Sequence, residues 1–222
     1  MKREDLKSLL SSFKEEDFFT NVDLHIHSDI SDGLMAPCDI VKAAEDYKMK
    51  YISISDHNTL DAYKQGCTKN KDFIIPAAEF DCLYKGVLIH IIGYGININN
   101  EKLKSILAKS ENGKKHKIYR VLHLRNTKKV IETIKEAGGV PVLAHPACYW
   151  CINLDTFIKE LKALGIEGLE VFYPYKRIRG IIKFHSRKTV YKLAQKYELI
   201  KTGGSDSHGR TYHNFSLTSL SI

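Results

Sequence analysis

No apolar run in this 222-residue chain approaches the roughly 20 residues that a membrane-crossing helix requires, so no membrane association is expected. The first residues, Met1-Lys-Arg-Glu-Asp5, lack the apolar core of a secretory signal, and a cytoplasmic protein is expected. Cysteine is sparse: Cys38, Cys67, Cys82, Cys148 and Cys151 form an odd set without paired spacings, as expected for reduced thiols. Cys148 and Cys151 make one Cys-x-x-Cys, but the second pair of a zinc knuckle is missing, so two ordinary thiols are expected. Low-complexity tracts and internal repeats are also absent, which excludes a disordered chain and a solenoid. With five prolines, 43% apolar and 27% charged residues, the composition is that of one globular domain.

What the chain does have is six short islands of His, Asp and Glu. These are Asp23-Leu-His25-Ile-His27, Asp56-His57, Glu79, His90, His145-Pro146 and Asp206-Ser-His208. Nearly every island follows a short apolar run, the pattern of a buried parallel strand that delivers a polar side chain at its C-terminal end. The spacing predicts strands over Val22–Ile26, Tyr51–Ile54, Phe73–Ala78, Val87–Ile92, Val140–Ala144 and Leu199–Thr202. His25 and His27 are two apart, so on a strand both point to one face and can grip one ion.

A lone histidine in apolar surroundings is ordinarily a packed core residue. Six histidines with carboxylates at one end of a barrel are different, because unpaired buried polar groups cost several kcal/mol and a cation relieves that cost. Imidazole and carboxylate without thiolate suit manganese, zinc or iron, whereas magnesium prefers oxygen ligands and retained water.

The run Asp23-Leu-His25-Ile-His27-Ser28, with Ser31-Asp32-Gly33, Ser55-Asp56-His57-Asn58-Thr59, Ala78-Glu79, His90-Ile-Ile-Gly93-Tyr94, Ala144-His145-Pro146, Gly168-Leu-Glu170-Val-Phe-Tyr173-Pro174-Tyr175 and Gly203-Gly204-Ser205-Asp206-Ser207-His208-Gly209, closely resembles the polymerase-and-histidinol-phosphatase (PHP) superfamily of metal-dependent phosphoesterases. The resemblance covers about Asn21 to Gly209. It implies an α/β fold, a distorted seven-stranded (β/α)7 barrel over residues 21–222 with its metal site at the C-terminal strand ends. Residues 1–20 would be an N-terminal helical extension. It further implies three divalent metal ions: one on His25, His27, Glu79 and Asp206; a second on Glu79, His90 and His145; a third on Asp32, His57 and His208. A metal-bridging hydroxide held by Glu79, Asp206 and His145 would attack the phosphorus. The Ser-Asp-Gly form at Asp32 resembles the nucleotide-directed branch, but only 54 residues separate His90 from His145, without that branch's inserted subdomain.

The net charge of +8 is concentrated. Between Glu101 and Lys135 eleven Lys and Arg face three Glu, which is +8 in one segment. A second basic run covers Lys176, Arg177, Arg179, Lys183, Arg187 and Lys188. Basic walls near a metal site favour phosphorylated substrates; for most of these lysines a solvated face is the simpler reading. Resemblance points to Lys176, Arg177 and His185 as substrate-phosphate residues, with Arg120 and Arg125 as further candidates. The segment itself reads as a helical hairpin, Glu101–Ser110 and Lys117–Ala137, broken at Gly113 and stopped by Gly138-Gly139. Wall helices are expected over Asp39–Lys48 behind Pro37, over Leu154–Leu164 between the cap Asn153 and Gly165, and over Ser186–Tyr197. An amphipathic helix over Leu6–Phe19 precedes the barrel, and Asn214–Ile222 would close it as a strand or tail.

The expected activity is hydrolysis of a phosphomonoester, a nucleotide or another small phosphorylated metabolite. An exonuclease on short RNA or DNA is the alternative of the same chemistry, and a non-catalytic metal-stabilised binding module the alternative of another class. An amidohydrolase barrel also begins with His-x-His, but no metal-bridging lysine is evident.

Overall fold

Residues 1–175 and 185–211 are described by the structure, a computed structural model. The candidates Lys176 and Arg177, and the closing segment 214–222, lie outside the described residues.

The apolar runs become buried strands: β1 (Val22–Ile26), β2 (Tyr51–Ile54), β3 (Ala77–Tyr84), β4 (Val87–Tyr94), β5 (Arg125–Asn126), β6 (Val140–Leu143), β7 (Gly168–Phe172) and β8 (Ile200–Gly203). β1 pairs in parallel with β2, and the others form a six-stranded sheet in the order β5-β3-β4-β6-β7-β8. Parallel bridges Ile52 to Ile74, His57 to Glu79 and Ile26 to Ser207 join the two sheets at both edges. Among the described residues, seven strands follow one another through these pairings and bridges in a ring-like order consistent with a barrel, with the two-residue β5 beside the far end of β3.

One strand departs from the parallel expectation. β4 runs antiparallel to both β3 and β6, so His90 enters from mid-strand and not from a C-terminal end. The cause is a two-residue turn: Lys85 and Gly86 have φ of 49° and 78°, the left-handed pair of a tight hairpin. β3 also starts later than the apolar run suggested, because Ile74 makes only an isolated bridge and the ladder begins at Ala77. Glu79 and Asp81 therefore sit inside β3, and Asp81 is paired directly with His90.

Local chemistry explains the wall helices. Pro37 occupies the first turn of the helix Pro37–Asp46, two residues earlier at each end than the apolar stripe suggested. The Asn153 side chain accepts the Thr156 N–H ahead of Leu154–Leu164, and Gly165 ends that helix with φ of 110°. Ser186 caps Arg187–Lys196 through Thr189 N–H. At the N-terminus the expected continuous helix is two pieces, Arg3–Ser12 and Asp17–Thr20. Leu6 and Leu10 are buried, and an added Cβ at Gly95 would meet Leu6, which places this helix against the foot of β4.

The basic helical hairpin does not form. Its residues make a 3-10 turn Glu101–Ser105, short helices Asn112–Lys115 and Lys117–Leu122, strand β5, and only then the helix Thr127–Glu136. Two pulls break it: Arg125 and Asn126 pair with Cys82 and Leu83 of β3, and the Asn126 side chain caps a new helix through Lys129 N–H. The reduced-thiol expectation is likewise corrected. Cys38 and Cys67 are joined as a disulfide that ties the start of the Pro37–Asp46 helix to the turn Gly66–Thr68. Their separation of 29 residues falls outside any recognisable spacing pattern, so the partnership appears only once the fold brings them together.

Candidate metal centre

All nine sequence-derived ligand candidates converge at one end of the ring. His25 comes from β1 and His27 follows it, Asp32 lies in the next loop, and His57 follows β2. Glu79 comes from β3, His90 from β4, His145 from the turn after β6, and Asp206 and His208 from the loop after β8.

Glu79 stands in the middle. Its Oε2 lies 3.5, 3.3 and 3.4 Å from Nε2 of His25, His27 and His57, and its Oε1 lies 3.0 Å from His90 Nδ1 and 3.1 Å from His145 Nε2. Asp206 Oδ1 is 3.5 Å from His25 Nε2 and 3.3 Å from His27 Nε2, while those two nitrogens are 3.0 Å apart. Five of the six edges among His25, His27, Glu79 and Asp206 thus run from 3.0 to 3.5 Å. A tetrahedron with metal–ligand bonds of about 2.0–2.1 Å has edges of about 3.3–3.4 Å. The donor set fits a divalent cation in both chemistry and size.

Two further groups adjoin. Glu79, His90 and His145 offer ligand atoms within 4.8 Å of one another, as do His27, Asp32, His57 and His208. His27 belongs to two groups, where sequence placed it in one: Nε2 faces Asp206, and Nδ1 is 3.5 Å from Asp32 Oδ1. Asp32 also lies 3.2 Å from His208 Nε2 and 3.6 Å from His57 Nε2. The side chains of His25 and His27 are fully enclosed, whereas His208 is 37% and Asp32 23% exposed, so the cluster opens on that side.

Backbone strain marks the site. His145, Asp206 and Asn58 have φ of 29°, 50° and 58°, conformations that non-glycine residues seldom adopt. Gly204 must be glycine, since a Cβ there would collide with the backbone of His25. That close approach brings Asp206 N–H to the His25 carbonyl at 2.7 Å.

A surrounding layer, not assigned from sequence, aims these side chains. Glu170 is fully buried in β7; its Oε1 is 2.9 Å from His25 Nδ1, and its Oε2 accepts the His145 N–H at 2.8 Å. Asp81 Oδ1 lies 3.4 Å from His57 Nδ1 and 3.3 Å from His90 Nε2. The Tyr173 hydroxyl donates to Asp206 Oδ2 at 2.7 Å. Carboxylates behind imidazoles fix ring orientation and raise ligand basicity. Asp56, by contrast, stays out of the cluster and accepts Ser28 N–H and the hydroxyls of Ser28 and Ser31, which orders the loop leading to Asp32.

The charges are strongly coupled. Burial opposes a charge on His27, but its hydrogen bonds to Asp206 and Glu79 outweigh that and push its pKa up to about 10. Burial likewise opposes His25, yet Glu170, Glu79 and Asp206 hold it well above the usual range. Glu79 and Asp206 would be raised by burial, but the facing imidazoles hold both well below the carboxylate range. His57 goes the other way, because for it burial prevails over Glu79 and Asp81. Such a cluster favours positive charge at its centre, which either protonated imidazoles or bound cations would supply.

The three described substrate candidates scatter. Arg120 is buried, with Nη1 2.8 Å from Asp32 Oδ2 and Nε 3.4 Å from Asp81 Oδ2, so it is committed to the cluster's own carboxylates. Arg125 donates to the Ile106 carbonyl at the end of β3. His185 Nε2 lies 2.7 Å from the Cys151 carbonyl, pinned to the loop that follows His145. A surface depression of about 710 Å³ is lined by Lys102, Lys104, Lys109 and Lys129 with Glu101, Glu132 and Glu136, and no ligand candidate borders it.

Comparison with known proteins bears on this geometry. The PHP domain family model matches residues 23–200. The 5'-3' exoribonuclease Rnm of Salmonella typhimurium is 31% identical over 94 residues, which cover 39% of this chain and 31% of the relative. The phosphoribosyl 1,2-cyclic phosphate 1,2-diphosphodiesterase of Eggerthella lenta is 35% identical over 82 residues, 36% of this chain and 27% of the relative. The chain therefore spans about a third of the length of these relatives. A Bifidobacterium adolescentis structure assigned to the metal-dependent phosphoesterases superimposes with a TM-score of 0.70 at 19% identity, covering 86% of this chain and 88% of the other.

Proposed function

This chain belongs to the PHP domain family, and from that premise we propose that it is a metal-dependent phosphohydrolase acting on a phosphomonoester of nucleotide type or a similar small phosphorylated metabolite. The observation that carries the reading is Glu79, whose two oxygens stand within 3.5 Å of five imidazoles drawn from β1, β4 and three loops. A binding module has no need of so many convergent donors beside an open face.

His25, His27, Glu79 and Asp206 would hold one ion, Glu79, His90 and His145 a second, and Asp32, His57 and His208, joined by His27, a third. Manganese, zinc or iron suits the donors. Ions there supply an activated water and neutralise the charge of the phosphoryl group. The chain's own part is orientation: Glu170 fixes the His25 ring and the His145 backbone, Asp81 stands behind His57 and His90, and Arg120 offsets the negative charge of Asp32 and Asp81. The substrate approaches past His208 and Asp32, the exposed side of the cluster. Preorganised charge of this kind is adequate for phosphoryl transfer without a protein nucleophile.

A second reading, a 5'-end-directed exonuclease, is favoured by the Rnm relative and by one surface feature. A depression of about 260 Å³ starts at Thr59, two residues from His57, and is lined by Lys64, Lys104, Lys109 and Lys114 against Asp61 and Glu111. A nucleic-acid strand held there would lose counterion-dependent affinity steeply with salt, whereas a small ester would not.

The test is elemental analysis of protein purified without added metal, then turnover of p-nitrophenyl phosphate and short RNA with Mn²⁺. Two or more equivalents of metal and hydrolysis of either substrate support the proposal. A folded, metal-replete sample that hydrolyses neither overturns it in favour of the binding module.

A further inference from the structure

We propose that Asn58 is a positioning residue that couples the basic segment to the candidate metal centre; this rests on the metal-dependent reading above and says what loading the centre does to the wall beside it. Asn58 follows His57 and is fully buried. Its φ of 58° is left-handed, a conformation that asparagine tolerates better than most residues. Its N–H donates to the Glu79 carbonyl at 2.8 Å, and its carbonyl accepts the Ala108 N–H at 2.8 Å. In the side chain, Oδ1 accepts the Asp81 N–H at 3.1 Å, while Nδ2 donates to Asp81 Oδ2 and, at 3.1 Å, to the Gly113 carbonyl. Three of these five bonds go to β3 and two to the basic segment. Aspartate in its place would have no proton for Gly113 and would set a second carboxylate against Asp81.

Asp81 is the link to the cluster. Its Oδ1 faces two ligand candidates, 3.4 Å from His57 Nδ1 and 3.3 Å from His90 Nε2. Its Oδ2 faces the segment, where it receives Asn58 Nδ2 and lies 3.4 Å from Arg120 Nε. Arg120 Nη1 donates in turn to the Lys114 carbonyl at 3.0 Å, so Asn58 and Arg120 grip consecutive carbonyls of the helix Asn112–Lys115. A helix of four residues does not stand by itself in water, so this outside grip decides whether it forms. Rings held by a cation fix Asp81, and a fixed Asp81 leaves Asn58 and Arg120 less freedom to lose when they hold the segment. By reciprocity, a fastened segment raises metal affinity. The depression that begins at Thr59 is lined by Lys109 and Lys114 of this segment, so the lysines a phosphate ester would meet assemble as the centre is loaded.

Trypsin reads the coupling, because the segment offers Lys109, Lys114, Lys115 and Lys117, and Lys14, 76% exposed between the two N-terminal helices, serves as the reference site. Local opening sets the cleavage rate of a folded chain. The full chain, stripped with a chelator or loaded with Mn²⁺ alone, is digested and its fragments timed by mass spectrometry, a peptide substrate correcting for any effect of Mn²⁺ on the protease. Loading should slow cutting at Lys114, Lys115 and Lys117 about tenfold relative to Lys14. Asn58→Gly tolerates the left-handed backbone and keeps both backbone bonds. Its Mn²⁺ dissociation constant should rise about tenfold, and at saturation, checked by elemental analysis, most of the slowing should vanish. A purely structural side chain would speed cutting by the same factor with and without metal; that outcome overturns the proposal, as does a wild-type segment indifferent to Mn²⁺. Should Asn58→Gly not fold, Asn58→Asp, which keeps an acceptor for the Asp81 N–H and loses both donations, carries the same expectation. These failures leave the phosphohydrolase reading in place, whereas a folded chain that binds no Mn²⁺ overturns both.

Discussion

Around Glu79, imidazoles and carboxylates are carried on strands and on the turns at their ends, and most are wholly enclosed. Residues 101–124, which border that cluster, are built from a 3-10 turn and two helices of six residues or fewer, with their lysines largely in solvent and Ile118 and Leu122 more than 70% exposed. The two regions meet at Arg120, which reaches from the helix Lys117–Leu122 to Asp32 and Asp81. The difference teaches that ligand placement here is a property of the ring, while the basic segment is tied to it by a few separate contacts: Arg120 to Asp32 and Asp81, Asn58 to Ala108 and Gly113, and the buried Leu103 and Ile106.

The largest expected break in that comparison is Glu79→Ala. Bound metal by elemental analysis and phosphatase turnover should both fall by more than the roughly 10–100-fold that follows loss of an outer carboxylate, with circular dichroism unchanged; full metal content would refute its central place. Next is Arg120→Met, which leaves Asp32 and Asp81 without their cation. Removing one partner of a buried pair costs about 3–5 kcal/mol, and a chelator-treated sample should show that loss in thermal melting. Mn²⁺ should recover part of it by binding the folded state, by about 2.7 kcal/mol at one hundred times its Kd. An unchanged melting temperature without metal would show that Arg120 does not fasten the segment. Asp81→Asn should come third, with metal affinity or activity down about 10–100-fold through His57 and His90; equal metal dissociation constants for variant and wild type would remove Asp81 from the supporting layer.

The smallest effect concerns the Lys114–Asp61 contact of 2.7 Å on the segment's outer side. Burial raises Asp61, but hydrogen bonds from Lys114, Lys64 and Thr59 outweigh it and hold its pKa at about 2, below the ordinary 3.8. A folded pKa below the unfolded one adds stability above about pH 3.8 that is lost as pH falls through 2. Lys114→Ala should flatten acid unfolding in that window and cost about 1 kcal/mol elsewhere, the upper end for surface pairs, because this one is partly buried; an acid-unfolding curve identical to wild type would discount the contact.

Eight of the nine ligand candidates stood out because a buried strand announces itself as an apolar run and a candidate ligand as its polar exception; Asp32 came only from the family resemblance, and Asp23 and Asp56 gave the same signal without joining the cluster. Asp81 and Glu170 were missed although the same signal was present. Asp81 follows Glu79 at the two-residue spacing that pairs His25 with His27, and Glu170 interrupts an otherwise apolar run. The direction of β4 hung on two turn residues, Lys85-Gly86, between runs that read alike in either direction. The segment 101–124 misled because lysine-rich sequence has good helix propensity, and propensity lost to the pairing of β5 and the pull on Arg120. Cys38 and Cys67 met through tertiary proximity, which spacing does not encode.

The ring is sewn shut by very little backbone. Between β2 and β3 the stitches nearest the cluster are Asn58 N–H to Glu79 O and Glu79 N–H to Asp56 O; between β8 and β1 they are His27 N–H to Ser207 O and Asp206 N–H to His25 O. Candidate ligands sit on both lips of each seam: His57 opposite Glu79, and His25 and His27 opposite Asp206. An ion held in the cluster would therefore brace both lips of each seam, and the amides of Asn58, Glu79, His27 and Asp206 would be its gauge. Their hydrogen exchange should slow together as the protein is loaded, while amides in the middle of β7 keep their rate.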